Sequence, residues 1–161
     1  MKTIRTGGSP TCVRVGLGSV WVGSQTGSKI FRINPATNAV TPIRIGKNGS
    51  LCVDVHRDGV FVSNTADDSV TKLDPATNTI VSTVKVGQGP ADGERGPDGL
   101  EWIPNQRDGT VSLIDPSTNK VVGTVHVGGL PFVVRRAFGS MWVDDFKGRS
   151  LSRFQTAAPS P

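Results

Sequence analysis

A five-residue string returns three times at nearly constant spacing. Asn34-Pro35-Ala36-Thr37-Asn38, Asp74-Pro75-Ala76-Thr77-Asn78 and Asp115-Pro116-Ser117-Thr118-Asn119 lie 40 and 41 residues apart. An aromatic position keeps the same step through Trp21, Phe61, Trp102 and Trp142, and a strand ending in glycine recurs at Gly46, Gly87 and Gly128. Units of this size cannot bury a core alone, so they must pack on their neighbours, and short strands broken by turns at this period point to β-propeller blades. Composition agrees: 20 glycines and 11 prolines supply turns, and only 19% of residues are charged. The 161 residues suit one well-cored domain, here residues 1–155 with a flexible tail at 156–161.

The second unit reads most clearly. Leu51 to Val55 is an inner strand, a. His56-Arg57-Asp58-Gly59 turns the chain into strand b, Val60 to Ser63, and a polar loop leads to strand c, Ser69 to Leu73. In the Asp-Pro-Ala-Thr-Asn turn Pro75 presets φ, while Asp74 and Asn78 bond local amides; Ile80 to Val86 is outer strand d. The fourth unit has strands a (Phe132 to Ala137), b (Ser140 to Asp144) and c (Ser150 to Phe154) but no d. Lys2-Thr3-Ile4-Arg5-Thr6-Gly7 matches the end of a d strand, so the last blade is expected to be shared between the termini, giving four blades of four antiparallel strands. Three closures remain open: a four-bladed monomer, a homodimeric ring of eight blades formed by strand exchange, or part of a longer propeller.

Gly18-Ser19-Val20-Trp21-Val22, Asp108-Gly109-Thr110-Val111-Ser112-Leu113-Ile114-Asp115-Pro116 and Val121-Val122-Gly123-Thr124-Val125 resemble the bacterial propeller repeats named for a Tyr-Val-Thr-Asn signature. They are also similar to the blades of the virginiamycin B lyase group. The likeness spans roughly residues 2–154 and rests on turn and packing positions, so it speaks for fold rather than activity. The lyase branch implies metal-assisted opening of a cyclic depsipeptide by His and Glu residues at the central mouth with magnesium. The only histidines are His56, in an a–b turn, and His126, in an outer strand, and neither stands where that chemistry needs it.

Cys12 and Cys52 occupy equivalent positions in adjacent units, and the rotation between blades is expected to keep them apart as buried thiols. The net charge of +5 is dispersed along the chain, which argues against a nucleic-acid partner. No segment has the apolar length of a membrane span and Met1-Lys2-Thr3-Ile4-Arg5 lacks the apolar stretch of a signal peptide; the compartment, cytoplasmic or secreted after processing, stays open.

In a propeller the d–a and b–c connections surround the mouth of the central channel. Here these are Gly7 to Pro10, Lys47 to Ser50, Gln88 to Asp92 and Gly129 to Pro131, with the b–c loops. Ser24, Asn64, Asn105 and Asp145 follow each aromatic by three residues and either face a polar ligand or bond their own loops. Arg14, Asp54, Arg95 and Arg135 share one inner-strand site, where Asp54 between two arginines reads as an ion pair or an anion site. The third unit places Asp92 and Glu94 where its sisters place apolar residues, a break in local consistency that marks a candidate cation or acid–base site. No nucleophile elbow, phosphate loop or zinc spacing occurs, and no residue is assigned as catalytic. The expected function is therefore a binding or scaffold propeller of WD40-like architecture that offers its mouth to a small ligand or protein and needs no cofactor. The alternative is a metal-assisted lyase or lactonase-type enzyme using Asp92 and Glu94 with magnesium or calcium.

Overall fold

The fold is seen in a computed structural model that describes residues 1–46 and 49–156. Lys47 and Asn48 of the expected mouth, and residues 157–161 of the expected tail, lie outside the described residues. The chain is an all-β, four-blade β-propeller, with no helix among the described residues. Blade one comprises β1 (Pro10–Gly16), β2 (Ser19–Ser24), β3 (Lys29–Ile33) and β4 (Val40–Arg44). Blade two comprises β5 (Ser50–His56), β6 (Gly59–Asn64), β7 (Ser69–Asp74) and β8 (Thr79–Lys85). Blade three has β9 (Glu94–Arg95), β10 (Glu101–Asn105), β11 (Thr110–Asp115) and β12 (Lys120–His126), and blade four has β13 (Val134–Ala137), β14 (Ser140–Asp145) and β15 (Ser150–Gln155). All ladders within blades are antiparallel, and one pair, Ser24 with Ser50, joins blade one to blade two.

The repeated pentapeptide closes each c–d turn in the same way. Asn34, Asp74 and Asp115 accept the amides of Ala36, Ala76 and Ser117 at 2.8–2.9 Å. Asn38, Asn78 and Asn119 donate their amides back four residues at 2.8 Å and take φ of 55–62°, a conformation asparagine tolerates better than most residues.

Strand alternation sends apolar side chains into the gaps between blades. Trp21, Ile30, Ile43 and Ile45 of blade one meet Val53, Val60, Val62 and Leu73 of blade two. Phe61, Val70 and Val86 of blade two meet Ile103 and Ile114, and Trp102, Val111 and Val127 of blade three meet Val134, Met141 and Val143. Each fully buried aliphatic or aromatic side chain contributes about 1.5–3 kcal/mol. Cations reinforce two of these junctions: Arg32 donates to the Pro75 carbonyl at 2.6 Å, and Lys72 to the Pro116 carbonyl at 2.8 Å.

The junction between blades four and one differs. The cluster on that face of blade one holds Val22, Phe31 and Ile33 with Ile4, Val20 and Val40, and among the described residues no blade-four residue. Val13 is 54% exposed although its equivalents Val53 and Val134 are 1% and 0% exposed. Leu151 is 60% exposed where Ile30, Val70 and Val111 are at most 2%. The N-terminal segment lies over this face through Ile4, but residues 1–9 form no strand and make no ladder with β15, so the shared blade is laddered only through β13–β15 among the described residues. Ile4 packs on the blade-one cluster, and the Gln25 backbone amide donates to the Ser9 carbonyl at 2.9 Å, so the segment is tied to blade one.

The expectation of separate thiols is corrected: Cys12 and Cys52 form a disulfide. Their Cα atoms are 5.0 Å apart, within the range a bridge requires, because the inner strands of blades one and two pack against one another near the axis.

Candidate functional site

Loops from all four blades surround a mouth cavity of about 570 Å³, lined by Thr11, Cys12, Gln25, Gly49, Thr65, Ala66, Gln106, Arg107 and Phe132. Arg107 is held across the rim, donating to the Thr65 carbonyl and to Asp68, each at 2.8 Å. The amide of Gly89 and the Arg107 guanidinium hold the Asp68 carboxyl below its ordinary range. The lining thus combines apolar groups, at Cys12, Ala66 and Phe132, with the side-chain amides of Gln25 and Gln106 and the Arg107 guanidinium.

Asp92 occupies the channel. The expected strand-a register of the third unit breaks here: the backbone of Asp92 pairs with blade four, donating to the Phe132 carbonyl at 3.0 Å and accepting from Val134 at 2.9 Å. Gly93 permits the crossing, because a Cβ there would lie 2.6 Å from the Trp102 carbonyl oxygen and from Ile103 Cδ1. The Asp92 carboxylate receives Arg14 at 2.5 Å on one oxygen and Arg135 on the other. Glu94 lies 3.9 Å from Arg135, and burial raises its carboxyl above the ordinary value against the opposing pull of the Arg136 amide and Arg135. Asp92 is therefore paired with guanidinium groups from blades one and four, and Glu94 approaches the second of these.

The expectation that Asp54 pairs with the flanking arginines is corrected as well. Arg14 and Arg135 converge on Asp92, while Asp54 bonds His56 Nε2 at 2.7 Å and accepts the Arg95 backbone amide at 3.2 Å. The Arg95 side chain turns to Glu101 at 2.9 Å and to Asp58 at 3.3 Å. The long guanidinium stems follow the nearest buried carboxylates rather than their shared register.

The polar set behind the aromatics serves its own blades. Ser24 donates to the Thr26 carbonyl at 2.8 Å; the Asn64 amide bonds Ser69 and Thr71, and the Asn105 amide bonds Thr110 and Ser112. Asp145 accepts the amides of Gly148 and Leu130, which lower its carboxyl below the ordinary range.

At the other end of the axis, where strands a and b meet, lies a group the sequence reading passed over. His56 ends β5 and Glu101 begins β10, and with Asp54 they bring three ligand-type atoms within 4.8 Å of one another. Burial raises the Glu101 carboxyl well above its ordinary value, with the Asp54 charge adding to the effect and Arg95 opposing it. Burial also pushes Asp54 upward, but the bonds from His56 and Glu101 outweigh it and hold Asp54 at about 2. The available signal was Glu101 itself, a carboxylate at a position filled by Val20, Val60 and Met141 in the other units.

No family model matches the chain, and no curated protein matches it either. Among solved structures, Kuenenia stuttgartiensis hydrazine synthase is similar at TM-score 0.81 and 18% identity, covering 94% of this chain and 46% of that one. The computationally designed Ika4 protein is similar at TM-score 0.80 and 11% identity, with 95% and 94% covered. A catalytically inactive virginiamycin B lyase from Staphylococcus aureus, determined with quinupristin, is similar at TM-score 0.76 and 13% identity, with 90% and 55% covered. The chain thus spans about half the length of the hydrazine synthase and lyase chains it matches. At these identities the likeness establishes the propeller fold.

Proposed function

We propose that this propeller is a binding or scaffold protein whose mouth receives a small ligand or a segment of a protein partner. The mouth cavity carries the reading: its volume falls in the range of small-molecule sites, and its mixed lining of apolar side chains and a few polar groups suits an amphipathic ligand. An NMR titration of the labelled protein with a mixed fragment library tests it. Shift changes should gather on Gln25, Thr65, Gln106 and Arg107 and vanish in Ala66→Trp, which fills the cavity. Changes scattered elsewhere, or none, would overturn it.

The lyase-type alternative draws support from the quinupristin complex of a structural neighbour. It is weakened by Asp92, whose oxygens are already engaged by Arg14 and Arg135. Incubation with quinupristin and magnesium separates the two readings, since a ring-opened product in the mass spectrum would put the enzyme first.

Pairing of two chains belongs to the same proposal. The exposed faces of blade one (Val13, Val15) and blade four (Leu151) correspond to the two sides of the junctions buried elsewhere in the ring, so a second copy offers each its natural counterpart. Light scattering should then give twice the 16.9 kDa of one chain, and a monomer at all concentrations would refute the pairing.

A further inference from the structure

We infer that Asp54, His56 and Glu101 form a binding site for one divalent transition-metal ion of the zinc class, at the end of the axis away from the mouth. The first observation is geometric. His56 Nε2 lies 2.7 Å from Asp54 Oδ2 and 3.7 Å from Glu101 Oε2. Tetrahedral zinc with bonds of about 2.1 Å holds its ligand atoms about 3.4 Å apart, and the three ligand-type atoms here all lie within 4.8 Å of one another. One imidazole with two carboxylates is also a ligand set that borderline cations accept, whereas magnesium and calcium prefer oxygen alone.

The second observation is independent of the first. Glu101 is fully buried, and among the described residues its Oε1 has no hydrogen-bond partner. A buried carboxylate oxygen left without a donor is costly, and in the other three blades its position is held by Val20, Val60 and Met141, which carry no such cost. Arg95 fixes the second oxygen at 2.9 Å and is itself held by Asp58 and stacked 5.2 Å from the Phe61 ring. The carboxyl is thereby oriented with Oε2 towards His56, and Oε1 is the oxygen left without a donor. With Asp54, Asp58 and Glu101 ionised, Arg95 compensates one of three negative charges, and the remainder favours a cation. His56 is a quarter exposed, which leaves an entry path.

The experiment is equilibrium dialysis of the oxidised protein against zinc chloride, with bound metal measured by mass spectrometry. Keeping the Cys12–Cys52 bridge intact removes thiols as competing ligands. The wild-type chain should retain about one zinc ion. His56→Gln and Asp54→Asn should each weaken binding by at least roughly tenfold, while His126→Gln and the Asp92→Asn, Glu94→Gln pair leave it unchanged. Cobalt(II) loaded in place of zinc should give intense visible absorption in the wild type, a readout that holds even where a variant folds poorly. Substoichiometric zinc, retention in folded His56→Gln, or a cobalt spectrum like that of the hydrated ion would each overturn the site. The mouth variant Ala66→Trp should bind zinc normally, so failure of either site is read separately.

Discussion

The junction between blades one and two and the junction between blades four and one are built from the same repeat, yet they differ in every stabilising layer. At the first, Ile30 and Val53 are buried, Arg32 reaches the next blade's Pro75 carbonyl, and a disulfide joins the inner strands. At the second, Leu151 and Val13 stand exposed, and Arg153 repeats the bond of Arg32 to its own blade's serine, 2.9 Å to Ser140 against 2.8 Å to Ser19, without the bond to a next blade. A repeat sequence encodes half of an interface, and the other half must be presented by a neighbour at the right distance. Where Ile4 is the principal apolar cover, the same residue types remain in water.

The comparison is broken or sharpened most strongly at the disulfide. Cys12→Ala with Cys52→Ala should lower stability to urea by about 4 kcal/mol, the chain-entropy value for a loop of this length. A loss below about 1 kcal/mol would mean that packing alone sets the first junction. Next, Ile30→Ala should cost about 2–5 kcal/mol in the same assay. Leu151→Ala, at the equivalent position, should change stability by less than about 0.5 kcal/mol in dilute solution. Equal costs would show that a second chain covers blade four.

Glu101→Gln should stabilise the metal-free protein at pH 8 by about 1–3 kcal/mol, because it relieves a buried carboxyl between blades two and three. The folded state holds the Glu101 proton above the roughly pH 4.3 at which the unfolded chain releases it, so this carboxyl contributes a loss of stability as pH rises from there to the folded pKa. Thermal unfolding of both proteins at pH 4 and pH 8 checks the sign, and the gain should be nearly absent at pH 4. The smallest effect is expected at the cationic bridges: Arg32→Met should cost about 1 kcal/mol and Arg153→Met less than half of that. An equal cost would require a turn beyond Arg153 to receive it.

The blades were legible because their signals are local. The pentapeptide turns and the aromatic of strand b depend on neighbours within a few residues, and the structure places them as their spacing predicts. What was not legible depends on distance around the ring. The disulfide required the inner strands to approach more closely than a general blade rotation suggests. Asp92 takes Arg14, which was expected at Asp54, because it crosses to blade four, a route that Gly93 permits but does not announce. His56 was read as a turn residue, and only the fold shows Asp54 and Glu101 beside it.

The Cys12–Cys52 bridge also decides how the molecule carries mechanical load. A pull on the N-terminus enters at Cys12 and passes straight to Cys52, so the 40-residue span of blade one between them lies outside the line of force. That span hides about 140 Å of extendable chain, which tension alone cannot draw out until a reductant opens the bridge.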